Sequence, residues 1–312
     1  MRTANLACRP SPQLRRSATL PAAGAARHDP GSPKECTMNV PSPAVPHDPL
    51  KDLYTDWSQI LAGTSDLTMR LFRSIFDEWH QPTREPEDVT YAEETVGGVP
   101  GIWCRPLGAD SSKVLLYTHG GGFAVGSASS HRKLAGHVAK ALGVTAFVLD
   151  YRRAPEHPHP AGLEDAVSAF LALTDKGVAP ADITTIGDSA GGNLAVAAAL
   201  ALKERGKPLP GGVIAFSPWL DMENAGKTLQ TNDATDALIT VPLLEGMISG
   251  VLGDRTSPKA PLANPLYADY AGFPRLYVNA GGDESLPAPG SATPTPISGP
   301  ATTTSDGAGS CG

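Results

Sequence analysis

The segment ITTIGDSAGGNLAVAAALALKE, residues 183–204, decides how the chain is read. Ile183 to Ile186 is a short run rich in β-branched residues. Gly187 to Asn193 gathers small and polar residues around Ser189, and Ala190 to Glu204 has the composition of an Ala- and Leu-rich helix. A strand that turns through glycine directly into a helix is the unit from which parallel sheets with crossover helices are built. The strand is apolar enough to be buried on both faces.

Outward from this segment the same alternation repeats. Lys113–Thr118 (KVLLYT) and Val144–Asp150 (VTAFVLD) are further buried strands by pattern, with helices predicted over His131–Leu142 and Gly162–Thr174. Val213–Ser217 (VIAFS) and Leu276–Asn279 (LYVN) follow, and between them Asn232–Leu252 is weakly helical, as an insertion over the sheet's carboxyl edge. Val89–Arg105 alternates as a hairpin through Gly97-Gly98. Asp48–Gln81 carries Leu, Ile, Phe and Trp at near-helical spacing and predicts two amphipathic helices separated near Gly63. The expected fold class is α/β, a mostly parallel central sheet flanked by helices. In such sheets ligands bind beyond the carboxyl ends of the strands.

Two glycine-rich segments occupy such ends. Gly187-Asp188-Ser189-Ala190-Gly191 fits G-x-S-x-G, in which small neighbours permit a strained turn that lifts a serine hydroxyl above the sheet. The helix that follows offers amide donors and a positive dipole end to a developing oxyanion. The alternative, a phosphate-binding turn, lacks both the P-loop lysine and the G-x-G-x-x-G spacing. His119-Gly120-Gly121-Gly122-Phe123 follows KVLLYT, and its glycines let the backbone approach a substrate carbonyl closely. His119 and Asp188 are expected to support this loop rather than exchange protons.

With Asp150–Ala161 (DYRRAPEHPHPA), the HGGGF and GDSAGGN segments resemble the hormone-sensitive-lipase-like branch of the α/β-hydrolases. Bacterial carboxylesterases, arylacetamide-deacetylase-like enzymes and monoterpene ε-lactone hydrolases belong to that branch. The resemblance runs from about Asp48 to Leu286. It implies the α/β-hydrolase fold with an N-terminal helical cap, the cap segments being about 48–81 and 232–252. It further implies hydrolysis of a carboxylic ester or lactone, with Ser189 as nucleophile and backbone amides of Gly120, Gly121, Gly122 and Ala190 as oxyanion hole. No metal or organic cofactor is implied, and Arg152 to Pro160 becomes a brace for the site. The acid of the triad should follow LYVN, where Glu284 is favoured and Asp283 is the alternative.

A serine nucleophile also needs a base. All eight histidines (28, 47, 80, 119, 131, 137, 157 and 159) precede Ser189, whereas in this fold the histidine follows the acid. Of the 26 residues from Pro287 to Gly312, 23 are Ala, Gly, Pro, Ser or Thr. The change comes in mid-motif at Leu286-Pro287, as a shifted reading frame in a GC-rich gene would produce. The last strand and helix are therefore expected to be missing. A second reading follows, a truncated or frameshifted hydrolase-like chain that keeps the pocket with impaired catalysis. His157 or His159 is the alternative source of a base, because geometry and not chain order defines a triad.

Charge and composition exclude other classes. The 312 residues carry 25 Lys and Arg against 32 Asp and Glu, and residues 38–286 carry 19 against 29. That acidity argues against a nucleic-acid partner, whose phosphates call for Lys and Arg. No apolar run approaches the roughly 18 residues of a membrane span, so a cytoplasmic protein is expected. Cys8, Cys36 and Cys311 lie in the terminal segments and only Cys104 in the body, which leaves no disulfide framework or zinc spacing. Residues 1–37 and 287–312 are expected to be disordered around one hydrolase domain, 38–286. The expected partner is a small apolar ester or lactone, held against Phe123, Trp219 and the cap helices. Composition sets no oligomeric state.

Overall fold

The computed structural model describes residues 49–286, except 65, 66 and 237. The segments expected to be disordered, 1–37 and 287–312, and the domain boundary drawn at 37/38 lie outside the described residues.

In chain order the elements are α1 (Pro49–Ala62), α2 (Met69–Asp77), β1 (Val89–Val96), β2 (Val99–Pro106) and β3 (Asp110–Thr118). They continue with α3 (Ala128–Leu142), β4 (Val144–Leu149), α4 (Ala161–Asp175), β5 (Ile183–Asp188) and α5 (Ala190–Glu204). The last are β6 (Gly212–Phe216), α6 (Thr228–Thr231), α7 (Val241–Leu252) and β7 (Leu276–Asn279). The strands form one sheet in the order β1-β2-β4-β3-β5-β6-β7. Strands β3 to β7 pair in parallel, and the β1–β2 hairpin adds an antiparallel edge through β2 and β4.

The run VLLYT in β3 explains why this sheet is covered on both faces. Leu115 and Tyr117 pack with Ala146, Val148 and Ile186 against Ala135 and Ala139 of α3. Val114 and Leu116 point the other way, with Phe147 and Leu149, onto Leu163, Phe170, Leu194 and Ala198 of α4 and α5. Fully burying each such Leu or Phe contributes about 1.5–3 kcal/mol. Small side chains let α5 approach the sheet closely, and every residue from Ala190 to Leu202 is buried.

Most elements fall where the pattern predicts, with three physical departures. Helix α3 begins at Ala128 rather than His131, because Ser127 and Ser130 close a capping box over its first turn. Strand β3 begins at Asp110 through the exposed residues 110–112, which carry no apolar signal. Of the weak helix expected over 232–252 only the second half forms, as α7, started by the Thr240 cap and Pro242, while the four-residue α6 lies just before that segment.

Candidate active site

The turn between β5 and α5 holds Ser189 at φ 52° and ψ −121°, in a region that L-residues seldom adopt. The geometry is imposed from both sides. Ser189 N–H donates to the Phe216 carbonyl at the end of β6 (2.9 Å), and the Ser189 carbonyl accepts from Asn193 and Trp219. Gly191 is required here, because a Cβ on it would stand 2.0 Å from the Thr118 carbonyl oxygen. Phe123 (φ 61°) and Ser217 (φ 41°) also take positive φ, so three strained residues lie on neighbouring loops at the carboxyl edge of the sheet.

Asp188 ties the serine turn to the glycine loop after β3. Its Oδ1 accepts from the Tyr117 phenol (2.8 Å) and from the Gly120 amide (3.1 Å). Gly121 sits at φ 112°, with the Val125 carbonyl 2.3 Å from where a Cβ would be, so the loop closes only on glycine. The Gly120 amide is thus occupied. Those of Gly121 and Gly122 have no acceptor among the described residues, and Ala190 opens α5 with a first-turn amide free of the helix ladder.

His119 has a supporting place. It is fully buried, its Nδ1–H donates to the Gly120 carbonyl (2.7 Å), and its ring stacks on Tyr151 at 4.2 Å. Burial pushes its pKa down to about 3, so the ring is neutral. The segment after β4 braces the same loop. The Tyr151 phenol donates to the His119 carbonyl (2.8 Å), Arg153 donates to the Gly126 carbonyl, and Arg152 pairs with Asp165 (2.8 Å). Glu156 pairs with Arg73 of α2, whose hydrogen bond holds the carboxylate down to about 2.

Ser189 and Asp188 open into a cavity of about 390 Å³. Its walls are the glycines of the loop, the aromatic rings of Tyr54, Phe76, Trp79 and Trp219, and aliphatic side chains of α7 and the segment before it. Trp79 stacks on Trp57 of α1 at 4.5 Å, so both helices of the N-terminal segment contribute to this wall. Met247 of α7 reaches Gly122.

Glu284 is half-buried. Its Oε1 accepts from Ser217 Oγ (2.8 Å), and its Oε2 is buried without a partner among the described residues. Burial and the charges of Glu284 and Asp236 raise the Tyr54 phenol pKa. Asp283 is exposed, and among the described residues its backbone carbonyl accepts from Thr235 Oγ1.

The histidines divide in a way that sequence did not foresee. His157 and His159, the alternative bases, line a separate cavity of about 20 Å³ with Tyr151 and Asn193, and so are not brought to Ser189. His80, His131 and His137 line the cavity that contains Ser189. His131 is the functional candidate missed, since only the packing of α3 on the sheet puts its Nε2 3.5 Å from Asp188 Oδ2. Among the described residues there is no group of three or more His, Cys, Asp or Glu that could hold a metal ion. Nor is any described helix long and apolar enough to cross a membrane.

Residues 115–294 match the family described as alpha/beta hydrolase fold. An acetyl-hydrolase of Streptomyces hygroscopicus is 42% identical over 192 residues, 62% of this chain and 64% of that protein. The chain thus spans less than two thirds of this relative, and 59% of an esterase of Acinetobacter venetianus at 35% identity. Carboxylesterase NlhH of Mycobacterium tuberculosis is 31% identical over 80% of this chain and 82% of its own length. The crystal structure of an esterase from the bacterial hormone-sensitive lipase family superposes with a TM-score of 0.73 at 38% identity, covering 78% of this chain and 81% of that one. Motifs, sheet order and relatives therefore converge, and the chain belongs to the α/β-hydrolase fold family, in its hormone-sensitive-lipase-like branch.

Proposed function

We propose that the chain hydrolyses a carboxylic ester, with Ser189 as nucleophile. One observation carries this reading: a serine held at positive φ at a helix N-terminus, facing a mainly apolar cavity of about 390 Å³ beside the unoccupied amides of Gly121 and Gly122. Ser189 Oγ bonds to the ester carbonyl carbon as its proton passes to solvent, the amides of Gly121, Gly122 and Ala190 take the oxygen as its charge develops, the alcohol leaves, and water then releases the acid and restores the serine. The Gly120 amide, one of the donors expected, instead fixes the loop through Asp188. Glu284, rather than Asp283, is the acid of this site, because its carboxylate is half-buried and oriented by Ser217.

The acyl group lies among Trp219, Leu244 and Met247, which favours a small apolar acid. The names of the relatives support an acetyl ester in particular, and a lactone of similar size is the second substrate class. The competing reading, a pocket without turnover, is favoured by the unpartnered Oε2 of Glu284. Hydrolysis of p-nitrophenyl acetate by the full chain, beside its Ser189→Ala variant, separates the two. A rate that disappears in the variant supports the esterase, whereas equal rates reject it.

A further inference from the structure

His131 sits in the first turn of α3, and its side chain forms part of the cavity that holds Ser189. Its Nδ1 lies 2.9 Å from Ser130 Oγ and its Nε2 3.5 Å from Asp188 Oδ2. Asp188 is the residue before the nucleophile, and its other oxygen holds both the Tyr117 phenol and the Gly120 amide. A bare carboxylate in that position would oppose negative charge gathering on the substrate oxygen a few ångströms away, and the buried setting would screen it poorly. A cation on the far side of the same carboxylate removes that opposition without touching substrate.

We propose that His131 is a positioning residue for acyl transfer, its imidazolium pairing with Asp188 so that the carboxylate anchors the glycine loop without repelling the developing oxyanion. The inference rests on the reading of Ser189 and the glycine loop as the reacting site, and deepens it.

The surroundings favour the charged ring. Burial acts against it, but the Asp188 carboxylate, through charge and hydrogen bond, the Ser127 backbone and the Asp77 carboxylate of α2 together hold His131 above the ordinary histidine value. Asp77 also accepts a hydrogen bond from Ser127 Oγ (2.7 Å), which keeps it beside the start of α3. The nearest competing cation would be His119, whose ring centroid is 5.3 Å from that of His131, and it is neutral. Lys133, from the next turn of α3, spends its ammonium on the carbonyls of His80 and Thr83. Arg153 is taken up by the Gly126 carbonyl. On the β3 side, Tyr117 is an uncharged donor to Asp188, its phenol pKa raised well above the ordinary value by burial and by that carboxylate.

The test follows covalent labelling of Ser189 by diethyl p-nitrophenyl phosphate, from mildly acidic to alkaline pH. In this step Oγ bonds to phosphorus, p-nitrophenolate leaves, and the serine proton passes to solvent. The wild-type labelling constant, corrected for spontaneous hydrolysis of the reagent, should fall about tenfold as His131 loses its proton. His131→Asn should label slowly at every pH without that alkaline fall. His131→Lys, which stays charged, should keep the fast rate across the range. A His131→Asn profile that overlays the wild type would overturn the proposal. His131→Gln replaces the Asn variant if melting shows that Asn loosens the fold.

A second readout needs no reaction. In the Ser189→Ala protein the His131 ring, followed by NMR, should titrate above an ordinary histidine and drop when Asp188→Asn is added. A ring that ignores Asp188→Asn also overturns the pairing. Labelling that persists unchanged in Ser189→Ala would instead reject Ser189 as nucleophile and the positioning role with it, while the NMR titration still decides separately whether the ion pair exists.

Discussion

The loops around Ser189 and around Glu284 hold their polar groups differently. On the serine side the groups that fix the loop hold one another, although His119 Nε2 and Trp219 Nε1 are buried without partners among the described residues. Asp188 holds Tyr117 and Gly120, His119 holds the Gly120 carbonyl, and Tyr151 holds the carbonyl of His119. On the Glu284 side the backbone is equally well held, through Asn232 to the carbonyls of Gly282 and Glu284 and through Asp236 to the Ser285 amide. The side chains are not, since Glu284 Oε2 and Ser285 Oγ are buried without partners among the described residues. Buried polar groups are normally paired, and an orphaned one costs about 1–3 kcal/mol. The serine side thus leaves neutral ring nitrogens unpartnered and the acid side a carboxylate oxygen, a contrast open to mutation and to pH.

The largest expected effect comes from His119. Unfolding releases a ring that the fold keeps neutral down to about 3, so the stability it contributes is complete above the ordinary histidine value and is lost as pH falls toward 3. The loss is on the order of 4 kcal/mol, and thermal melts across that window measure it. A melting temperature that stays level there would show that the fold does not hold the His119 ring neutral. Next comes Gly191→Ala, whose Cβ meets backbone oxygens of Thr118 and His119 at 2.0 and 2.5 Å. With no flexible atom to yield, a loss of about 3 kcal/mol is expected in denaturant unfolding.

Smaller changes compare the two sides directly. Tyr117→Phe removes one donor from the Asp188 carboxylate and should cost about 1–2 kcal/mol. Glu284→Gln keeps the shape, removes a charge whose Oε2 has no partner, and should change stability by less than about 1 kcal/mol. Unfolding measured side by side decides this pair, and a Glu284→Gln loss as large as that of Tyr117→Phe would erase the contrast.

The difference also marks what the amino-acid sequence makes legible. Helix α5 and strand β7 fall on their predicted bounds, and the serine turn and the glycine loop are visible as motifs, because their geometry depends on local glycines such as Gly121 and Gly191. The pairing of His131 with Asp188 joins residues from different elements and has no local signature. The hydrogen bond from the Ser217 hydroxyl to Glu284, the carboxylate that the sequence already favours over Asp283, likewise crosses elements, brought there by a strained turn at the end of β6. The early start of α3 is encoded in Ser127 and Ser130, but as caps rather than as apolar spacing.

Everything proposed for this cavity depends on Ser189 being the nucleophile of a preorganised oxyanion site. Mass spectrometry of the full chain after exposure to diethyl p-nitrophenyl phosphate tests this. A single phosphoryl adduct is expected on the peptide carrying Ser189, absent from the Ser189→Ala protein. An unmodified chain, or an adduct that survives in Ser189→Ala, would contradict it.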